Sequence, residues 1–251
     1  MNTAWSNPSG EQYLDHAKVH LWLATIQNDP SSTAGMLALL PGDEQSRAAG
    51  YKHERARLRF ITARGLLRTV LARFTGLSPG ALVFRYSSKG KPFLSGPRDG
   101  DAIHFNIAHS GELVLCGITI GRRIGVDIET TTNRHDLMKI AHRYFAPAEV
   151  TELESLPKEQ RIPGFFCCWT RKEAYLKAIG EGISYGLDRF EVSADPDKPA
   201  RLIRDRQNPE EAVRWRLEDV DAGPAYRSAI AVEGDGWKLR TWKWQAADWL
   251  R

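Results

Sequence analysis

The stretch RRIGVDIETT, Arg122 to Thr131, places two carboxylates, Asp127 and Glu129, among the apolar residues Ile124, Val126 and Ile128. In an extended strand residues i and i+2 share a face. Asp127 and Glu129 therefore project together, roughly 7 Å apart at Cα, while the apolar residues face a core on the other side. Two buried carboxylates are costly unless a cation neutralises them. A second stretch, WTRKEAYLKAIGEG, adds charge at helical spacing: Trp169, Glu173 and Lys177 lie at i, i+4 and i+8, and Gly180 and Gly182 follow. Three carboxylates in one place favour a hard divalent cation. Oxygen ligands with open positions for water and phosphate suit Mg²⁺, with Mn²⁺ as a substitute. The same residues also suit a surface strand whose acids pair with Arg122 or Arg123, and a helix-surface Glu–Lys pair worth only about 0.3–0.5 kcal/mol.

These side chains need elements to hold them. Apolar residues at helical spacing, Leu58, Ile61, Leu66, Val70 and Phe74, predict a helix before Gly76. Its other face carries Arg55, Arg57, Arg59, Arg64 and Arg68. ALVFRY reads as a strand, SSKGKPFL as a turn into a short extended segment, and HFNIAHSGELVLCGITIG as two extended pieces hinged at His109-Ser110-Gly111. The GRR turn at 121–123 is expected to fold the chain back so that IGVDIE completes an antiparallel hairpin. HDLMKIAHRYFAPAEVTELESL reads as helix interrupted by Pro147, and GFFCCWTRKEAYLKAIGEGI as a second strong helix. LDRFEVSA reads as a strand, DPDKPARL as a turn and another short strand, and VRWRLEDV, YRSAIAVE and WKLRTWKW as strands.

The order helix, glycine turn, strand, Lys-Pro turn, strand occurs twice, at Lys91-Pro92 and at Lys198-Pro199. The expected fold is therefore α+β, two pseudo-two-fold-related halves (1–122 and 123–251) with a ligand cleft between them. The 251 residues and 42% apolar content suffice for a core. No run of about 18 apolar residues predicts a membrane span. The first residues lack the basic and apolar regions of a signal peptide. Cys116, Cys167 and Cys168 make neither a disulfide framework nor a zinc pattern, which fits core thiols in a reducing cytoplasm. A net charge of +4 suits an anionic ligand, an acidic partner or nucleic acid.

FNIAHSG, GVDIE and WTRKEAYLKA, in this order, resemble the Sfp-type 4'-phosphopantetheinyl transferases. GKP at Gly90–Pro92 and AHRYFAPAE at Ala141–Glu149 fit the resemblance, which covers about residues 40 to 235. It implies a monomer of two pseudosymmetric α+β halves that binds coenzyme A between them with Mg²⁺ on the pyrophosphate. A carrier-protein serine then attacks the β-phosphate, and 3',5'-ADP leaves. The resemblance makes Asp127, Glu129 and Glu173 metal ligands, with Glu173 also the base for the serine proton. It places Lys177 on the pyrophosphate and His109 on the 3'-phosphate, with Lys91, Arg59 and Arg47 as further coenzyme contacts. Glu149 matches a glutamate near the acidic centre. Ala108 stands where many members have Ser, and Phe60 where a smaller or polar residue occurs.

The partners implied are coenzyme A and acyl or peptidyl carrier proteins, with no nucleic acid and no membrane. The segment after Ala141, with the loop near Pro147, is the expected carrier-docking surface. Two other readings share parts of the pattern. A Mg²⁺-dependent nucleotide pyrophosphatase would use the same acids with water as nucleophile. A basic nucleic-acid module would use the Arg55–Arg68 face, although the aromatic-basic alternation of such modules is missing.

Overall fold

The computed structural model describes residues 3–8, 13–95, 102–132 and 136–249. The first half runs β1 (Lys18–Thr25), α1 (Pro30–Ala38), α2 (Gly42–Ala49), α3 (Glu54–Thr75), β2 (Phe84–Tyr86), β3 (Pro92–Leu94), β4 (Ile103–Ser110) and β5 (Leu113–Ile120). The second runs β6 (Ile124–Thr130), α4 (Leu137–Tyr144), α5 (Pro147–Ser155), α6 (Lys158–Ile179), β7 (Phe190–Val192), β8 (Leu202–Asp205), α7 (Glu211–Arg214), β9 (Trp215–Asp219), β10 (Tyr226–Glu233) and β11 (Lys238–Trp244). This is a mixed α+β fold. Each half is dominated by a 22-residue helix, α3 or α6, that ends on a left-handed glycine, Gly76 or Gly180.

Side-chain alternation stacks the halves. On β1, Trp22 and Ala24 face α3, while Val19 and Leu21 face the second sheet. On β6, Ile124, Val126 and Ile128 pack toward the first sheet, which leaves Gly125, Asp127 and Glu129 on the side of α6. On β10, Ile230 and Val232 join the inter-sheet core, whereas Ala229 and Ala231 lie under α6. The order of layers is thus α3, sheet β11-β1-β5-β4, sheet β6-β10-β9, α6.

The structure corrects one expectation. IGVDIE does not form a hairpin with the preceding strand: both edges of β5 are taken, by β1 and β4, so β6 crosses to the second sheet and pairs with β10. Gly121 (φ 65°) and the bond from Thr119 Oγ1 to the Arg122 carbonyl (2.6 Å) make that crossing. The helical stretch does break at Pro147, as expected: α4 ends at Tyr144, Ala146 is extended and Pro147 begins α5. The boundary at 122/123 is crossed by β11, which pairs in parallel with β1 and completes the sheet of the first half.

His20 on β1 sits in that seam, 2% exposed, and its Nδ1 accepts a hydrogen bond from Trp242 Nε1 of β11 (3.1 Å). Only an unprotonated Nδ1 can accept. Burial first, then the charge of Lys18, pulls its pKa down to about 4. Between about pH 6.5 and 4 the unfolded chain binds the proton and the folded chain does not, so this contribution to stability is lost as pH falls through that window. His20→Gln keeps an acceptor without titrating. Chemical denaturation from pH 7 to 4.5 should show the wild type losing up to about 1.4 kcal/mol per pH unit more than the variant; parallel curves would exclude this role.

Candidate functional site

Helix α6 lies directly on the second sheet because the sheet offers almost no side chain beneath it. A Cβ added at Gly125 would stand 2.0 Å from the Ala174 carbonyl oxygen and 2.4 Å from the Ala178 nitrogen. This approach brings the polar face of α6 beside the acidic face of β6. Lys177 Nζ donates to Asp127 Oδ1 at 2.5 Å. Glu129 Oε2 accepts from Ser110 Oγ (2.9 Å), which accepts in turn from the Thr130 amide (3.0 Å). Asp127 Oδ2 and Glu173 Oε1 are buried without a hydrogen-bond partner.

Burial dominates the electrostatics. It pushes the Asp127 carboxyl up to about 7 despite Lys177, and Glu129 and Glu173 add to the rise. Glu129 and Glu173 are themselves raised, again first by burial. The alternative of pairing with Arg122 or Arg123 is not realised. Arg123 binds Glu233, and Arg122 donates to the carbonyls of His16 and Glu233.

The opposite wall comes from the first half. Asn106 of FNIAHSG accepts the Val126 amide through Oδ1 (2.8 Å), tying β4 to β6 across the sheets and carrying His109 to the rim. Burial, then the positive charge of Arg59, holds the His109 imidazole below its ordinary value. The arginine stripe of α3 is not one solvated face. Arg55 pairs with Glu112 and Arg57 with Glu54, while Arg64 and Arg68 both grip Glu44 of α2, Arg68 through Nε at 2.8 Å. Among the described residues Arg59 enters no such pair. The Glu44 grip docks α2 on α3 and presents Arg47, whose guanidinium lies 5.1 Å from the centre of the Phe60 ring. Phe60, unusual by sequence, thus serves as a stacking platform.

A cleft of about 430 Å³ opens between these walls. Arg47, Arg59 and His109 line it from the first half, with Ala108 among the apolar positions. From the second half come Asp127, Glu129, Trp169, Glu173 and Lys177. Two expected residues lie elsewhere. Lys91 turns its ammonium onto carbonyl oxygens at the end of α6, and burial followed by Arg123 pulls its pKa down to about 8. Glu149 is buried against Lys172 (2.7 Å) and accepts the amides of Ala146 and Val192, joining α5, α6 and β7 away from the cleft. Asn106 and Ser110 were not singled out by spacing, although both stand inside FNIAHSG. Among the described residues no group of three or more His, Cys, Asp or Glu is already drawn together as a metal cluster. A larger groove, about 1340 Å³, lies along β9 and β10 and contains none of the acids of the cleft.

Known families decide what this arrangement belongs to. A family model described as 4'-phosphopantetheinyl transferase superfamily matches residues 123–231, and one described as 4'-phosphopantetheinyl transferase, N-terminal, matches 27–119. The chain is 37% identical over 225 residues to the 4'-phosphopantetheinyl transferase HetI of Nostoc sp., covering 90% of this chain and 92% of that one. The chain belongs to the 4'-phosphopantetheinyl transferase superfamily. A 4'-phosphopantetheinyl transferase of Bacillus subtilis is 27% identical over 83% of this chain and 90% of its own, and Sfp of Bacillus subtilis strain 168 is 27% identical over 78% and 83%. The two family models meet at the β5–β6 crossing, where the cleft's two walls part. No described helix of this phosphopantetheinyl transferase family member is long and apolar enough to cross a membrane.

Gly125→Ala tests the seam on which the acidic wall depends. The added methyl meets helix backbone rather than a side chain that can rotate away. It should destabilise the protein by about 1–3 kcal/mol, the range for overpacking. Thermal melting should show the drop, whereas Ala at Gly42, where a Cβ meets nothing within 4 Å, should leave the melting temperature within about 1 °C. Equal effects at the two positions would refute the close-approach argument.

Proposed function

We propose that this chain transfers the 4'-phosphopantetheine arm of coenzyme A to a serine hydroxyl of an apo acyl or peptidyl carrier protein. The other product is 3',5'-ADP, and the protein acts as a cytoplasmic monomer of two pseudo-two-fold-related halves. The observation that carries this reading is the cleft itself, with cations on the wall of one half and carboxylates with unpartnered oxygens on the wall of the other. A doubly phosphorylated nucleotide needs the first wall, and a reacting pyrophosphate needs the second.

The donor set fits a hard divalent cation. Asp127 Oδ2 and Glu173 Oε1 are buried oxygens without a hydrogen-bond partner, and Glu129 adds a third carboxylate. Asp127, Glu129 and Glu173 would hold Mg²⁺ or Mn²⁺, which when bound supplies positive charge to the pyrophosphate oxygens. The chain's own groups do the rest. Arg47, Arg59 and His109 bind the 3'-phosphate end of the coenzyme. Lys177 Nζ steadies charge on the pyrophosphate as the phosphoanhydride bond to 3',5'-ADP breaks. The serine Oγ forms its bond to the β-phosphorus, and its proton passes to the Glu173 carboxylate. Burial holds the Glu173 carboxyl above its ordinary value, which makes the carboxylate a stronger base.

The deciding experiment mixes the chain with coenzyme A, Mg²⁺ and apo carrier proteins from fatty-acid, polyketide and nonribosomal peptide systems. Intact mass of the carrier should rise by one phosphopantetheine, with one 3',5'-ADP released for each. Carrier Ser→Ala should stop both products. Asp127→Asn and Glu173→Gln should each reduce the rate by at least about 100-fold while remaining folded, since removing one of several clustered acids relieves repulsion. Nucleotide release that continues undiminished with the Ala carrier would instead make the protein a pyrophosphatase.

His109→Ala gives an independent check on the coenzyme's orientation. The variant should lose about 1.5–3 kcal/mol of affinity for coenzyme A, the range for a charge-assisted hydrogen bond, and much less for the analogue lacking the 3'-phosphate. Calorimetry showing equal losses for the two ligands would remove His109 from the 3'-phosphate.

A further inference from the structure

We propose that Lys91 is a positioning residue, a strap from the first half that closes the C-terminal end of α6 and fixes Lys177, rather than a side chain that touches the coenzyme. Its ammonium donates to the carbonyl oxygens of Ile124 (3.2 Å), Lys177 (2.5 Å) and Ala178 (3.1 Å). An ammonium has three N–H donors, and three carbonyls take them, so none remains for a phosphate.

The helix needs this partner. The last carbonyls of an α-helix have no amide ahead of them. At the end of α6 the amides of Gly180 and Glu181 both go to the Leu176 carbonyl. That leaves the Lys177 and Ala178 carbonyls for Lys91, whose charge also complements the negative end of the helix dipole. The third carbonyl, Ile124, opens the strand that carries Asp127. One side chain of the first half therefore holds the backbone of both elements bearing the Lys177–Asp127 pair.

The turn that delivers Lys91 is itself fixed. Gly90 takes φ 80° and its amide donates to the Ser87 carbonyl. The Ser87 amide donates to the Lys91 carbonyl, and the Lys91 amide to Ser87 Oγ. From the same turn Lys89 reaches Glu181, just past the helix end, at 3.6 Å. Both links run from one half to the other beside the cleft but outside its lining.

The test compares wild type with Lys91→Met in three ways. Hydrogen exchange of the ligand-free protein should be at least about tenfold faster at the Gly180 and Glu181 amides in the variant. Affinity for 3',5'-ADP should stay within twofold. The third comparison rests on the proposed transfer reaction: kcat should fall at least tenfold with KM for coenzyme A nearly unchanged. Lys91→Cys followed by 2-bromoethylamine rebuilds an ammonium of nearly the same length, and should restore exchange protection and kcat together. Alkylation is selective because the native cysteines are all buried. Unchanged exchange in the ligand-free protein, or a tenfold loss of 3',5'-ADP affinity, would overturn the strap and return Lys91 to the coenzyme. If wild type modifies no carrier, the reaction is refuted, and the strap stands or falls on exchange and nucleotide affinity alone. Should Lys91→Met fail to fold, Lys91→Gln, which keeps a donor without the charge, is read by the same measurements.

Discussion

One backbone contact sets the rest of the site: α6 rests on β6 where Gly125 has no side chain. A helix packed on a sheet is normally separated from it by a layer of interdigitated side chains. Here Gly125, Ala229 and Ala231 thin that layer almost to nothing. Asp127 is thereby buried, and Glu129 half-buried, under a helix face carrying Glu173 and Lys177. The unusual protonation behaviour of the acids follows from this geometry, since desolvation raises every one of them. A sheet with a larger residue at position 125 would push the helix away and return the carboxylates to water.

The cleft is also an exercise in leaving charge uncompensated. Most of the arginines on α3 are spent on structure, through Glu44, Glu54 and Glu112. The buried Glu44 cluster costs desolvation, and such clusters do not reliably add stability. What it provides is register, because α2 and α3 are locked together and Arg47 and Arg59 are set on one wall. Across the gap Asp127 and Glu173 each keep one buried oxygen without a hydrogen-bond partner. Positive and negative walls that satisfied each other would close the cleft. Held apart by the two-sheet sandwich, they stay available to a ligand carrying phosphates.

The parts of this site set by local periodicity were legible in the sequence. Asp127 and Glu129 share a face because strands repeat every two residues, and Glu173 and Lys177 because helices repeat every 3.6. Gly180 ends α6 as its position suggests. What the sequence did not show depended on partners far along the chain. Arg64 and Arg68 stand on one arginine face by spacing, but Glu44, 20 and 24 residues away, carries no mark that it would grip them. The carbonyl partners of Lys91 on α6 lie 86 and 87 residues downstream, beyond the reach of any local pattern. The β5–β6 hairpin was expected because the turn between them is short. The occupancy of both β5 edges is a property of the whole sheet, and no window of sequence reports it. The N-terminal KVHLWLAT, buried on both faces, became a central strand without any motif to announce it.

The return of β11 to the sheet of the first half has a consequence for how the protein is made. β1 leaves the ribosome before β11, and the strand that covers its outer edge is synthesised more than 200 residues later. Until then β1 presents an open row of amides and carbonyls, the kind of edge that pairs with other chains. The first half cannot complete its sheet as it emerges. Its final closure is a contact of very high sequence separation, which slows folding and prolongs exposure to aggregation. Chaperone dependence and yield on overproduction should therefore respond to changes in β11 out of proportion to that strand's distance from the cleft.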